Sequence, residues 1–157
     1  MNDARLTHLL AYITAHNTLT LATEQDGRPW AASLFYANEG FTLYFVSDPG
    51  TRHAKNLQGN PRVAATIADD QRDWRAIAGL QLEGTCEAIG NPVDAARARA
   101  VYGAKFPFIG DRLRAPGELG SALASARFHK ITPCWVRLTD NTRGFSHKEE
   151  IHLGESP

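Results

Sequence analysis

At 157 residues, 43% hydrophobic and 22% charged, the chain is long enough for one buried core and too short for two ordinary domains, so residues 1–157 are expected to form a single domain. Lysine plus arginine and aspartate plus glutamate both number 17, which leaves no global field to gather nucleic acid or an acidic membrane surface; any anion site must be local. No apolar run approaches the roughly 20 residues that span a bilayer, and the first residues lack the charged-then-apolar pattern of a signal peptide, which points to a cytoplasmic protein.

In chain order, Leu6, Leu9, Leu10 and Ile13 share one helical face, with Asn2 or Asp3 as cap. After Asn17 the texture changes to TLTLATE, an Asp26-Gly27 turn, RPWAASLFYA, a short NEG turn and FTLYFVS, which reads as a β-meander. Phe41, Leu43 and Phe45 alternate with Thr42 and Tyr44, the pattern of a strand with one face on a core. The Asp48-Pro49-Gly50 turn should open a short helix from Thr51 to Gln58, closed by Gly59 and the Asn60-Pro61 break, before Val63, Ala65 and Ile67 restart a strand. Between Ala76 and Ile89, Leu80, Leu82, Cys86 and Ala88 share one strand face and Gln81, Glu83, Thr85 and Glu87 the other, so Gln81 points away from the core. Asn91 and Pro92 start a helix that continues to Gly103. Residues 105–125, rich in Gly and Pro, read as loop with a short helix. The last third resumes strand composition, with Pro133 suggesting a strand start or an edge. Five or six strands in a meander with short helices predict a mainly β fold, an antiparallel barrel.

The chemistry concentrates after Ser47. Thr51-Arg52-His53 opens the predicted helix, with Lys55 and Asn56 one turn on, so free N–H groups, a positive helix end, hydroxyls and a guanidinium fork converge as a phosphate site requires; a solvated basic first turn is the plain alternative. Other patterns carry less. Cys86 and Cys134 share no metal or redox spacing and read as reduced, partly buried hydrophobes. His147 and His152, in HKEEIH, miss the i, i+4 face that zinc chelation needs, so no metal is expected. Neither GxGxxG nor GxxxxGK occurs, and no nucleophile triad is readable.

The succession RPWAASLFY, LYFVSDPGTRHAKNLQGNPRVAATI and GLQLEGTCEAI resembles the flavin-binding split-barrel family that includes pyridoxamine 5′-phosphate oxidase, and the ending LTDNTRGF resembles a small bacterial branch of that superfamily. The resemblance runs from Thr18 to Phe145 and implies a split antiparallel β-barrel with short additional α-helices, binding FMN between the subunits of a homodimer. It implies further that Ser47, Thr51 and Arg52 hold the FMN phosphate, with His53 where the oxidase carries a second basic residue. Ala32, Ser33 and Leu34 would line the isoalloxazine, and Gln81 would contact the ring. His53 should weaken FMN at high pH, where neutral imidazole keeps one donor. Trp135 is the tryptophan to test for stacking, beside Trp30 and Trp74 as core or interface mass. The oxidase's C-terminal Arg and His grip on its phosphorylated substrate is replaced here by Asp140-Asn141-Thr142-Arg143-Gly144-Phe145, so pyridoxamine phosphate oxidation is not expected. The expected function is hydride transfer through FMN between a small-molecule donor and oxygen or another acceptor. The alternative is a non-catalytic flavin- or haem-binding dimer, with His129, His147 or His152 as haem ligand, or a dimer whose site is vestigial.

Overall fold

The computed structural model describes residues 3–108 and 125–157. Helix α1 (Ala4–Ala15) starts at Asp3, whose carboxylate accepts the Arg5 amide, and buries Leu9 and Ile13. Strands β1 (Thr18–Gln25) and β2 (Arg28–Phe35) form a hairpin whose turn residues, Asp26 and Gly27, have φ of 54° and 75°, as a two-residue primed turn demands. Then follow β3 (Ala37–Glu39), β4 (Thr42–Ser47), α2 (Arg52–Gly59), β5 (Arg62–Ala68), β6 (Ala78–Ala88), α3 (Pro92–Lys105), β7 (Arg127–Asp140) and β8 (Lys148–His152), with single 3-10 turns at Trp74–Ala76 and Asn141–Arg143. All pairings are antiparallel in the order β2-β1-β5-β6-β7-β4-β3, and β8 pairs with the C-terminal half of β7. This curled sheet with three added helices is a split-barrel fold.

Leu19, Leu21, Phe45, Ile67, Leu80, Leu82, Ile131, Val136 and Leu138 line the concave face, closed by Leu9 and Ile13 of α1 and Leu57 of α2. Each such side chain contributes about 1.5–3 kcal/mol on burial, whereas an exposed pair such as Arg97–Glu39 is worth about 0–1 kcal/mol. The concave face therefore holds the fold. A bond from Asn56 Nδ2 to buried Thr23 Oγ1, 3.0 Å, seats α2 at one end of the barrel.

One irregularity sets the outer surface. The β6/β7 register shifts at Glu83/Gly84: Gly84 opposes Pro133 and Glu83 opposes Trp135, which leaves Cys134 as the extra residue of a bulge. Before it the odd residues His129 and Ile131 are buried; after it the even residues Val136 and Leu138 are. Because strand side chains alternate, one inserted residue flips the rest of β7, and Trp135 and Arg137 are turned outward. Cys134 itself stays buried, and its carbonyl accepts the amide of Leu153 at 2.7 Å.

Several expectations shift. Eight strands are described, not five or six, because Ala37–Glu39 pairs with β4 where a turn was expected and the last third folds as a hairpin. Pro133 lies within β7 at the bulge, a site where a missing N–H breaks no regular ladder bond. Helix α2 includes Gly59 and ends at Asn60, while α3 runs through Gly103 to Lys105. Tyr44 is buried along with Leu43 and Phe45, since α3 packs over the other face of β4. Of the segment read as loop, residues 109–124 lie outside the described residues.

Candidate functional site

Two places gather the residues singled out by sequence. The first is the entrance to α2. Strand β4 delivers Ser47, and the turn after it is tied by the Gly50 amide to Asp48 Oδ1 at 2.6 Å and by the Thr51 amide to the Asp48 carbonyl at 3.1 Å. Thr51 then caps the helix, its hydroxyl accepting the Ala54 amide at 3.3 Å and donating to the Asp48 carbonyl at 2.9 Å. The amides of Arg52 and His53 fall in the first turn, ahead of the intrahelical ladder, at the positive end of the helix dipole.

Ser47, Thr51 and His53 form one hydrogen-bonded group. His53 Nε2 bonds the Ser47 hydroxyl and lies 3.2 Å from the Thr51 hydroxyl, and the ring packs edge-on against Phe45. His53 is only 6% exposed, and burial holds its pKa below the usual histidine value. It is thus a neutral orienter of the two hydroxyls at neutral pH, and its charge is lost below the usual histidine range. Arg52 is exposed, and its guanidinium lies 4.3 Å from the ring centroid of Trp30. Sequence reading missed this partnership because β2 and α2 meet only in the fold.

The second place is the outer face of the sheet. Directly opposed residues share a face, and Ser33, Thr20, Thr66, Gln81 and Arg137 form one continuous row across β2, β1, β5, β6 and β7. The adjoining row is Ala31, Ala22, Ala64, Glu83 and Trp135. Between them lies a groove of about 340 Å³ whose floor includes Ala22, Ala64 and Thr66 and whose end is formed by Gln81, Trp135 and Arg137. Arg137 Nη2 donates to Gln81 Oε1 at 2.8 Å, and the guanidinium lies 5.1 Å from the Trp135 ring centroid. Arg137 was not a sequence candidate. The available signal was the slip of apolar alternation in ITPCWVRL from Ile131 to Cys134, Val136 and Leu138.

Gln81 therefore points outward as expected, and Ser33 shares its row. Ala32 and Leu34 face the other way, opposite Leu21 and Leu19; both are half-buried, and Leu34 packs against the core. Trp30 shares that inner face, opposite Thr23, and the α2 entrance and the Gln81 groove thus lie on opposite faces of one protomer's sheet.

The C-terminal residues are otherwise engaged. His8 Nδ1 meets Glu149 at 2.7 Å and its Nε2 meets Asp140 at 3.5 Å, while Arg143 reaches Glu149 at 3.2 Å and His147 also contacts Glu149. This network fastens α1 to the β7–β8 hairpin. Burial pushes the Asp140 and Glu149 carboxyls up, but hydrogen bonds from Thr142 and His8 respectively, with neighbouring positive charge, outweigh it and hold both below the usual range. His129 is buried and stacked on Phe45 with centroids 4.8 Å apart. His152 is exposed on β8. Among the described residues, no three His, Cys, Asp or Glu side chains are placed to hold a metal, and no helix is long and apolar enough to cross a membrane.

Residues 7–140 match the family described as pyridoxamine 5′-phosphate oxidase. A UPF0306 protein of Photorhabdus laumondii is 30% identical over 145 residues, covering 87% of this chain and 88% of its own. A haem-binding protein from Mycobacterium smegmatis superposes with a TM-score of 0.72 at 20% identity, over 97% of this chain and 59% of that one. An FAD-binding protein from Mesorhizobium loti superposes with a TM-score of 0.68 at 23% identity, over 84% of this chain and 91% of that one.

Proposed function

The chain belongs to the pyridoxamine 5′-phosphate oxidase family, and from that premise we propose that it is an FMN-binding oxidoreductase that works as a homodimer. The observation that carries the reading is the α2 entrance: an exposed arginine, two hydroxyls and two first-turn amides meet where a helix begins directly after a core strand. That donor set fits a phosphate monoester. Arg52 would pair with the phosphate, Ser47 would donate a hydroxyl bond, Thr51 would do the same by turning its proton from the Asp48 carbonyl, and buried His53 would orient those hydroxyls.

Bound FMN supplies hydride chemistry, accepting a hydride equivalent from a small-molecule donor and passing electrons to oxygen or another acceptor. The chain's part is to anchor and orient. Since the α2 entrance and the Gln81 groove face opposite ways on one sheet, a second copy is what would bring a groove to each phosphate site. The backbone of Ala32, Ser33 and Leu34 at the sheet edge would border the ring.

Pyridoxamine phosphate is not the proposed substrate, because Arg143 is committed to Glu149 and Asp140 rather than free to grip a second phosphate. A flavin- or haem-binding dimer without turnover is the second reading, favoured by the haem-binding protein among the structural relatives. The absorption spectrum of freshly purified protein, followed by FMN titration, tests both. A flavin spectrum, or saturable uptake of FMN, is expected; a Soret band would favour haem, and a colourless protein that takes up neither would overturn the proposal.

A further inference from the structure

His129 is a buried imidazole with one ring nitrogen that nothing described so far uses. Its Nδ1 lies 3.2 Å from the Arg127 carbonyl oxygen, and a carbonyl only accepts, so Nδ1 carries the proton and Nε2 is a bare lone pair. Burial holds the ring's pKa below the usual histidine value, against the contrary pull of that carbonyl, so the ring is neutral near pH 7. Among the described residues, the buried side-chain atoms that are both closed off and unpartnered are Gln25 Oε1 and Arg137 Nε. His129 Nε2 has no partner there either and is not one of these, so it opens on space. That space is a cavity of about 180 Å³ between α2 and the ends of β6 and β7. Buried Ala54, Leu57 and His129 form its inner end, and exposed Glu87 and Arg127 its mouth. Ser47, Thr51 and Arg52 do not line it, so it is separate from the α2 entrance.

The geometry points to a binding site for a single planar ring bearing a hydroxyl donor, which lays its body against Ala54, Leu57 and Ala88 and gives its proton to His129 Nε2. Size sets the first limit. Apolar cavities of about 150 Å³ take up benzene, whereas pockets for larger ligands run to roughly 300–1,000 Å³, so this cavity admits one ring and not a flavin or a porphyrin. Chemistry sets the second. A water at the inner end would need about two to four polar partners and meets one lone pair between aliphatic walls. A hydroxylated ring supplies the donor that the lone pair accepts and covers the walls with carbon. Charge sets the third. Glu87 and Arg127 carry opposite signs, so the mouth adds no net field and favours a neutral guest. The site stands independently of the FMN reading.

The test titrates full-length wild-type, His129→Phe and Ala88→Leu proteins with phenol, and with toluene, which has the same shape and no donor, by calorimetry. Far-UV circular dichroism reports the fold. The wild type should take up phenol saturably and about tenfold more tightly than toluene, the worth of one neutral hydrogen bond. His129→Phe keeps a ring stacked on Phe45 but removes the lone pair, so it should bind phenol no better than toluene. Ala88→Leu keeps the lone pair and narrows the cavity from an exposed position, so it should weaken both probes by a similar factor. In wild-type NMR spectra the His129 Nε2 resonance should move with phenol and stay in place with toluene. No saturable phenol uptake, equal affinity for the two probes, or unchanged phenol affinity in folded His129→Phe would overturn the proposal. An unmoved Nε2 resonance, or unchanged binding in folded Ala88→Leu, would put the probes elsewhere and overturn it as well.

Discussion

Arg52 carries the charge that the α2 entrance offers a phosphate, and Trp30 sets where that charge sits. Truncation to Arg52→Ala should weaken FMN by about ten- to a hundredfold, the value of one charge-assisted contact, and leave riboflavin nearly unchanged. Paired titrations check this, and equal FMN affinity in the folded variant would reject the phosphate site. The buried histidines act on stability instead. His53 and His129 both have pKa values lowered first by burial, and for His129 also by the nearness of His53, so the unfolded chain binds protons near the ordinary histidine value that the folded chain refuses. The native state therefore has its full stability above about pH 6.5 and loses it as pH falls through the window below. Asp140 and Glu149, with lowered values, add a second loss at more acidic pH. Urea denaturation between about pH 5 and 7 should show a shallower slope in His129→Phe, which keeps a ring stacked on Phe45 but cannot titrate. An identical slope would show that His129 is not one of the groups responsible.

The elements divide by whether their signal is local. The β1–β2 hairpin was legible because Asp26-Gly27 carries its own turn geometry, and the start of α2 because Thr51 and the Asp48-Pro49-Gly50 turn are contiguous with it. The outward placement of Gln81 followed from simple alternation along β6. Alternation failed in β7, where Pro133 and Cys134 occupy a bulge whose effect depends on which β6 residue lies opposite. No local rule assigns that partner, so Arg137 was assigned no role from sequence. Gly84 is what lets the bulge form: a β-carbon there would lie 2.2 Å from the Thr132 carbonyl oxygen and 2.8 Å from the Pro133 α-carbon, both backbone atoms. Those atoms cannot give way by a rotamer change. Gly84→Ala should therefore cost about 2–3 kcal/mol of stability, measured by denaturant unfolding. A variant as stable as wild type would mean that the β6–β7 spacing is looser than these distances imply.

For the whole molecule, the sheet has an inner face committed to one core and an outer face with small residues at its centre, opposite in direction to the phosphate donors. Chain order and motif spacing carried the family's architecture, but not this division, because which residues share the outer row depends on the pairing of five strands. A second copy packed there would cover Ala22, Ala64 and the neighbouring row. Stable interfaces remove roughly 800 Å² from each partner, and short alanine and threonine side chains at the centre of this face admit a close approach. Ala64 is exposed at the middle of this face and opposes Ala22 and Glu83, so Ala64→Arg adds a long cation where the copies would meet and leaves the core untouched. The wild type should run as a dimer by light scattering at micromolar concentration, and Ala64→Arg as a folded monomer. Flavin binding should fall as dimerisation is lost, since each phosphate site would lose the partner's groove. A monomeric wild type in the presence of FMN, or an Ala64→Arg dimer that binds FMN normally, would place the interface elsewhere and separate the Gln81 groove from the phosphate site it is argued to serve.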